Sequence, residues 1–132
     1  MEQNIKRGDI YYVDLGRTVG SVQGRLRPVV VLQNNTGNLH SSTIIVATMT
    51  SHTDKKKDQP THYILPPVGR LKTASVVQLE QIKTIDKCRV MKYFGRIPAE
   101  HMKEINRIIK ISMGIMRIPK ELTIEQEAKS NV

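Results

Sequence analysis

A chain of 132 residues, 39% of them hydrophobic, is long enough to bury one core, which excludes a disordered polymer. Lys and Arg number 21 against 12 Asp and Glu, and the net charge of +9 favours an anionic partner, nucleic acid being the usual one. The single Cys88 excludes an internal disulfide framework and suits a reducing, cytoplasmic setting. No apolar run approaches membrane-spanning length, and the opening MEQNIKRGD lacks the apolar stretch of a secretory signal.

In chain order, Asp9–Asp14 (DIYYVD) is a β-prone run after Gly8, followed by a long loop over 15–26 with glycines at 16, 20 and 24. Residues 27–33 (RPVVVLQ) form a continuous apolar strand, the pattern expected when both faces are covered. Residues 34–42 (NNTGNLHSS) are dense in turn formers, and Thr43–Thr50 (TIIVATMT), rich in β-branched residues, is the next strand. A polar loop over 51–60 carries Lys55, Lys56 and Lys57. A short strand over 61–65 ends at Pro66 and Pro67, and further strands are expected at 75–81 (SVVQLEQ) and about 88–97. Short strands separated by regular turn signals predict a small antiparallel barrel or a strongly twisted sheet.

The period changes at Pro98. Met102, Ile105, Ile109, Met113 and Met116 recur at helical spacing between charged residues, and Pro98 suits the first helical turn. Ile108, Ile111 and Ile115 widen the apolar face, most of it for the core and part for a surface between copies. Residues 1–118 are thus expected to form one domain, mainly β with a C-terminal helix, and 119–132 a polar tail. Cys88 is expected to be a half-buried strand residue, and His40 and His52 solvated loop residues.

Phosphate-binding glycine loops, HExxH and CxxC patterns are absent from the sequence, and His40, His52, His62 and His101 lack metal-ligand spacing. No metal or cofactor is expected. One constellation stands out. Folding the loop 34–42 about its midpoint, Asn38, opposes Arg27 and Thr50 to within one residue, at the open end of a hairpin. Directly opposed residues hold their Cβ atoms roughly 4.5–5.5 Å apart, so a guanidinium and a hydroxyl project together beside the two long loops. The bland alternative is a surface arginine and a threonine chosen for β propensity.

The segments KRGDIYYVDL, GSVQGRLRPVVVLQN, the strand ending in Thr50, and LEQIKTIDK occur in the order found in MazF/PemK-type toxin ribonucleases, which this chain resembles from about Lys6 to Ile115. The resemblance implies an SH3-like barrel with a C-terminal helix, a symmetric homodimer, and metal-independent cutting of single-stranded RNA. It also implies neutralisation by an antitoxin protein, for which an acidic segment lying over the RNA groove is expected. It carries the family's catalytic Arg onto Arg27 and its catalytic Thr onto Thr50. RNA contacts are implied at Ser21, Gln23, Lys55, Lys56, Glu80 and Gln81, with Arg25 an added cation. Val22 stands where many relatives carry a Glu, so a carboxylate that could orient the arginine is missing there. Glu80 is a candidate general base. Two rivals use the same scaffold: a non-catalytic nucleic-acid-binding module, and a toxin that poisons a protein such as DNA gyrase.

Overall fold

The computed structural model describes residues 4–16, 26–51 and 59–119. Six antiparallel strands form one sheet: β1 (Asp9–Asp14), β2 (Leu26–Val31), β3 (Thr43–Thr50), β4 (His62–Leu65), β5 (Ser75–Asp86) and β6 (Val90–Arg96), ordered β4-β5-β3-β2-β1-β6. Two helices complete it, α1 (Asn35–His40) and α2 (Ala99–Ser112), with a short 3-10 turn at Lys87–Arg89. The architecture is therefore mainly β with one principal C-terminal helix, as the strand and helix periodicities predict.

Alternation along the strands builds two apolar clusters, one on each face. Ile10, Val30, Ala47, Met49, Val77 and Leu79 point to one side, where α2 seals them with Ile105. Tyr11, Val13, Val29, Val31, Ile44 and Val46 point to the other, joined by Val90. Val29, Val30 and Val31 are all fully buried, as their unbroken apolar run in the sequence requires.

The two edge strands are drawn together by the loop between β4 and β5. There the Arg70 N–H donates to the Phe94 carbonyl of β6 at 2.7 Å. Gly69 makes the approach possible: its φ is +56°, and a Cβ would sit 2.2 Å from that same Phe94 oxygen. This contact rolls the open sheet toward a barrel and shields part of the β6 edge.

Helix α2 lies across β4 and β5 and is pinned at its middle and at its C-terminal end. Arg7 donates from Nε to the Leu32 carbonyl and from Nη2 to Asn106 Oδ1, tying the helix to the chain after β2. Ser112 Oγ donates to the Leu79 carbonyl at 2.8 Å. The helix ends at Ser112, although the apolar spacing runs on to Met116. Gly114 adopts φ +76°, and the N–H groups of Gly114 and Ile115 cap the carbonyls of Ile111 and Lys110. Met113, Ile115, Met116 and Ile118 are left exposed.

Other elements depart from expectation. Residues read as a pure turn contain α1, because Asn34 accepts from the Gly37 N–H and so caps a helix rather than a turn. Strand β5 continues to Asp86. Cys88 is exposed in the 3-10 turn, not half-buried in a strand, since β6 begins only at Val90. His40 is exposed as expected, but within α1; His52 lies outside the described residues. No helix among the described residues is long and apolar enough to cross a membrane.

Candidate active site at the open end of the β2–β3 hairpin

Strands β2 and β3 pair with Val29 opposite Thr48, Val30 opposite Ala47 and Val31 opposite Val46. Continuing this register two residues toward the open end sets Arg27 opposite Thr50. Neighbouring strands hold both positions from outside: Arg27 pairs with Val13 of β1, and Thr50 with Val76 of β5. Neither residue can slip by one without turning a buried row outward. Both are half-buried. They share a face with Val29 and Thr48, because alternate residues of a strand face the same way.

The adjoining row on this face is polar toward β4. Reading across the sheet, His62, Gln78, Thr48, Val29 and Tyr11 are successive partners. Thr48 and Gln78 are buried and satisfy each other, with Thr48 Oγ1 donating to Gln78 Oε1 at 2.9 Å. Immediately beyond, the β3–β5 register breaks. Thr48 pairs with Gln78 but Ala47 with Ile82, so Leu79, Glu80 and Gln81 form a bulge of three extra residues on β5. A bulge bends its strand and re-aims the side chains it carries. Here it leaves Glu80 and Gln81, both exposed, on β5 between the levels of Thr48 and Ala47.

Glu80 is clamped from β4. Its Oε2 lies 2.6 Å from His62 Nε2, and its Oε1 accepts from Thr61 Oγ1 at 3.3 Å. The His62 side chain is only 3% exposed against 36% for Glu80, so a buried imidazole anchors a carboxylate that still meets solvent. A carboxylate offers about four acceptor sites, which leaves this one able to take further donors.

A second charged cluster lies on β1 and β6. The buried Asp9 carboxylate accepts from the Lys6 N–H and from Arg96 Nε, each at 2.9 Å. Burial, reinforced by the charge of Asp9, pushes the Tyr11 phenol up to about 12. Hydrogen bonding to Asp9 holds the exposed Arg96 guanidinium above its ordinary value, and burial lowers that of Arg7. These groups secure β6 and α2 rather than facing the hairpin end. Among the described residues no group of three or more His, Cys, Asp or Glu is arranged to hold a metal ion.

Of the site residues expected from sequence, the register brings Arg27 and Thr50 together, and the bulge exposes Glu80 and Gln81 on β5, the strand next to Thr50's. Ser21, Gln23, Arg25, Lys55 and Lys56 lie outside the described residues, as does Val22. Sequence reasoning missed His62 and Thr61. The same device that paired Arg27 with Thr50 finds them, because folding the loop 66–74 about Arg70 opposes His62 with Gln78, the observed pair.

A family profile described as PemK-like, MazF-like toxin of type II toxin–antitoxin systems matches residues 6–113, spanning every strand and α2. The chain belongs to that family. It is 44% identical over 115 residues to the endoribonuclease MazF of Staphylococcus saprophyticus, covering 86% of this chain and 95% of that protein. Among solved structures, MazF from Deinococcus radiodurans superposes with a TM-score of 0.70 at 21% identity, covering 86% of this chain and 99% of that one. A mycobacterial endoribonuclease in complex with its cognate antitoxin superposes with a TM-score of 0.67 at 23% identity, covering 86% and 96%. The fold is thus that of MazF-like toxins, and the family profile leaves out residues 1–5 and 114–132.

Proposed function

We propose that this MazF-like chain is a toxin endoribonuclease that cuts single-stranded RNA at short sequences without a metal ion. The observation that carries the reading is the register that opposes Arg27 and Thr50, locked on both sides by β1 and β5. In this reading a ribose 2′-OH attacks the adjacent phosphate, and the 5′-oxygen leaves. The products are a 2′,3′-cyclic phosphate and a 5′-hydroxyl, and DNA, lacking the 2′-OH, is not a substrate. The Arg27 guanidinium offers two parallel N–H donors to the non-bridging oxygens as their charge grows, and Thr50 adds a hydroxyl donor. Arg27 does not serve as base, because a guanidinium offers only donors and no acceptor for a proton.

Glu80 fits poorly as the general base. Its carboxylate is held by Thr61 and His62 of the β4 side, and β4 is two strands from Thr50, about 10 Å. A base must come within roughly 3 Å of its proton. Contact with RNA beside the cut is the better role for Glu80 and Gln81.

The exposed apolar end of α2 and the residues after it, Met113, Ile115 and Met116, suits a two-fold contact with a second copy. The charge of +9 suits an acidic antitoxin segment that competes with RNA and binds less tightly as salt rises.

The test is incubation of the purified protein with mixed-sequence RNA in EDTA. Discrete fragments with cyclic phosphate ends support the reading. Retention of RNA without cutting points to a binding module, and neither result to a toxin with a protein target. Folded Arg27→Ala should lose on the order of a hundred- to a thousand-fold in single-turnover rate, and Arg27→Lys should rescue poorly. Thr50→Ser should keep substantial activity and Thr50→Val should not.

A further inference from the structure

A cavity of about 570 Å³ lies at the far end of the sheet from Arg27 and Thr50, where residues 4–6, α1 and the 3-10 turn Lys87–Arg89 meet. Its size is that of a small-molecule site. Lys6, Lys87, Asn35 and Ser42 supply polar walls, and Ile5 and Val90 an apolar floor. Among the described residues no carboxylate lines it. Asp9, bonded to the Lys6 backbone, is already matched by Arg96, and Asp86, next to Lys87, lies outside the lining.

The wall is built rather than draped. Asn38, 2% exposed, donates to the Gln33 carbonyl and accepts from Gln33 Nε2, which also donates to the Thr43 carbonyl. Lys87 Nζ donates to the Asn38 carbonyl. An ammonium has three donors, so Lys87 keeps two for a ligand. Lys6 makes no ion pair among the described residues. Two lysines with amide and hydroxyl donors, and no carboxylate among the described lining residues, match a phosphate group; the apolar floor matches a ribose or base edge.

We propose that this cavity binds phosphate-bearing ligands at a second site, either a phosphate of the RNA strand remote from the cut or the phosphate of a free nucleotide. Strand β3 runs from Thr43 at the cavity end to Thr50 at the hairpin end, about 24 Å away. A strand that fills both places must therefore be several nucleotides long. The RNA source rests on the reading given under Proposed function; the free-nucleotide source does not.

The experiment follows amide resonances of the full chain on titration with inorganic phosphate, AMP, and 2′-O-methyl RNA as a dinucleotide and a decanucleotide. Uncleavable RNA keeps the result independent of whether the protein cuts. Phosphate and AMP should move the amides of α1 and residues 87–90, and Lys6→Ala should weaken AMP about tenfold or more. Lys87→Gln should do the same, but it also loosens α1, so Lys6→Ala alone can decide. If RNA is the source, the decanucleotide binds Lys6→Ala more weakly than wild type while the dinucleotide does not discriminate. If a free nucleotide is the source, both oligonucleotides bind the two proteins equally and AMP saturates the site. The proposal is overturned if none of these ligands moves those amides, or if folded Lys6→Ala binds all of them as wild type does.

Discussion

The clamp between His62 and Glu80 sets a coupling that can be measured. A hydrogen bond to a charged group contributes about 1.5–3 kcal/mol when shielded from water. The imidazole is shielded, at 3% exposure, but the carboxylate is 36% exposed, and screening there reduces the coupling to about 1 kcal/mol. His62→Ala alone should cost more than this, because it also empties a buried site. Glu80→Gln keeps the shape and should cost about 0.5–1 kcal/mol. The double variant should be more stable than the two losses predict, by the coupling energy, and the cavity contribution cancels in the cycle. Urea unfolding of the four proteins under one buffer supplies the numbers. Coupling no larger than the roughly 0.3–0.5 kcal/mol scatter of independent sites would show that the 2.6 Å contact does not anchor Glu80.

Tyr11, whose phenol stays protonated to about 12, makes the fold sensitive to alkali. An acid with a raised folded pKa contributes fully below its unfolded value near 10 and loses that contribution as pH climbs through 12. Stability should therefore fall by about 1–2 kcal/mol between pH 10 and 12, after allowance for screening, and Tyr11→Phe should flatten that fall. Ile105, fully buried on the inner face of α2, should cost about 2–5 kcal/mol when cut to Ala, read by urea denaturation. Thr48→Val strands the buried Gln78 oxygen and should cost about 1–3 kcal/mol, whereas Thr48→Ser should recover most of it in the same assay.

Much of the frame is legible because side-chain period and loop symmetry are properties of short segments. Asp9–Asp14 and Thr43–Thr50 match their observed bounds, since each is a β-prone run closed by polar or turn residues. The hairpin register follows to within one residue, because the two strands leave a loop that folds evenly between Asn38 and Leu39. Where one residue type serves two structures, sequence is ambiguous: Asn34 and Gly37 suit a turn, yet together they cap α1. The helix end misleads for a different reason, as apolar spacing continues past Gly114 although the backbone there has turned left-handed. The β5 bulge has no local signature. Leu79, Glu80 and Gln81 read as ordinary strand, and only the pairing of β3 with both halves of β5 expels them. With the bulge hidden, the burial of His62 against Glu80 was hidden too.

That bulge also bears on how such a chain can change over time. The register of β5 is set independently on either side of it, by Thr48, Met49 and Thr50 against residues 76–78 and by residues 43–47 against residues 82–86. Substitutions at Glu80 and Gln81 therefore leave the alignment of Arg27 with Thr50 untouched. The two exposed positions are thus uncoupled from the register of β3 with β5, and Glu80 is tied instead to β4 through His62, so variation there is felt in the seating of β4 and not in the pairing beneath Thr50.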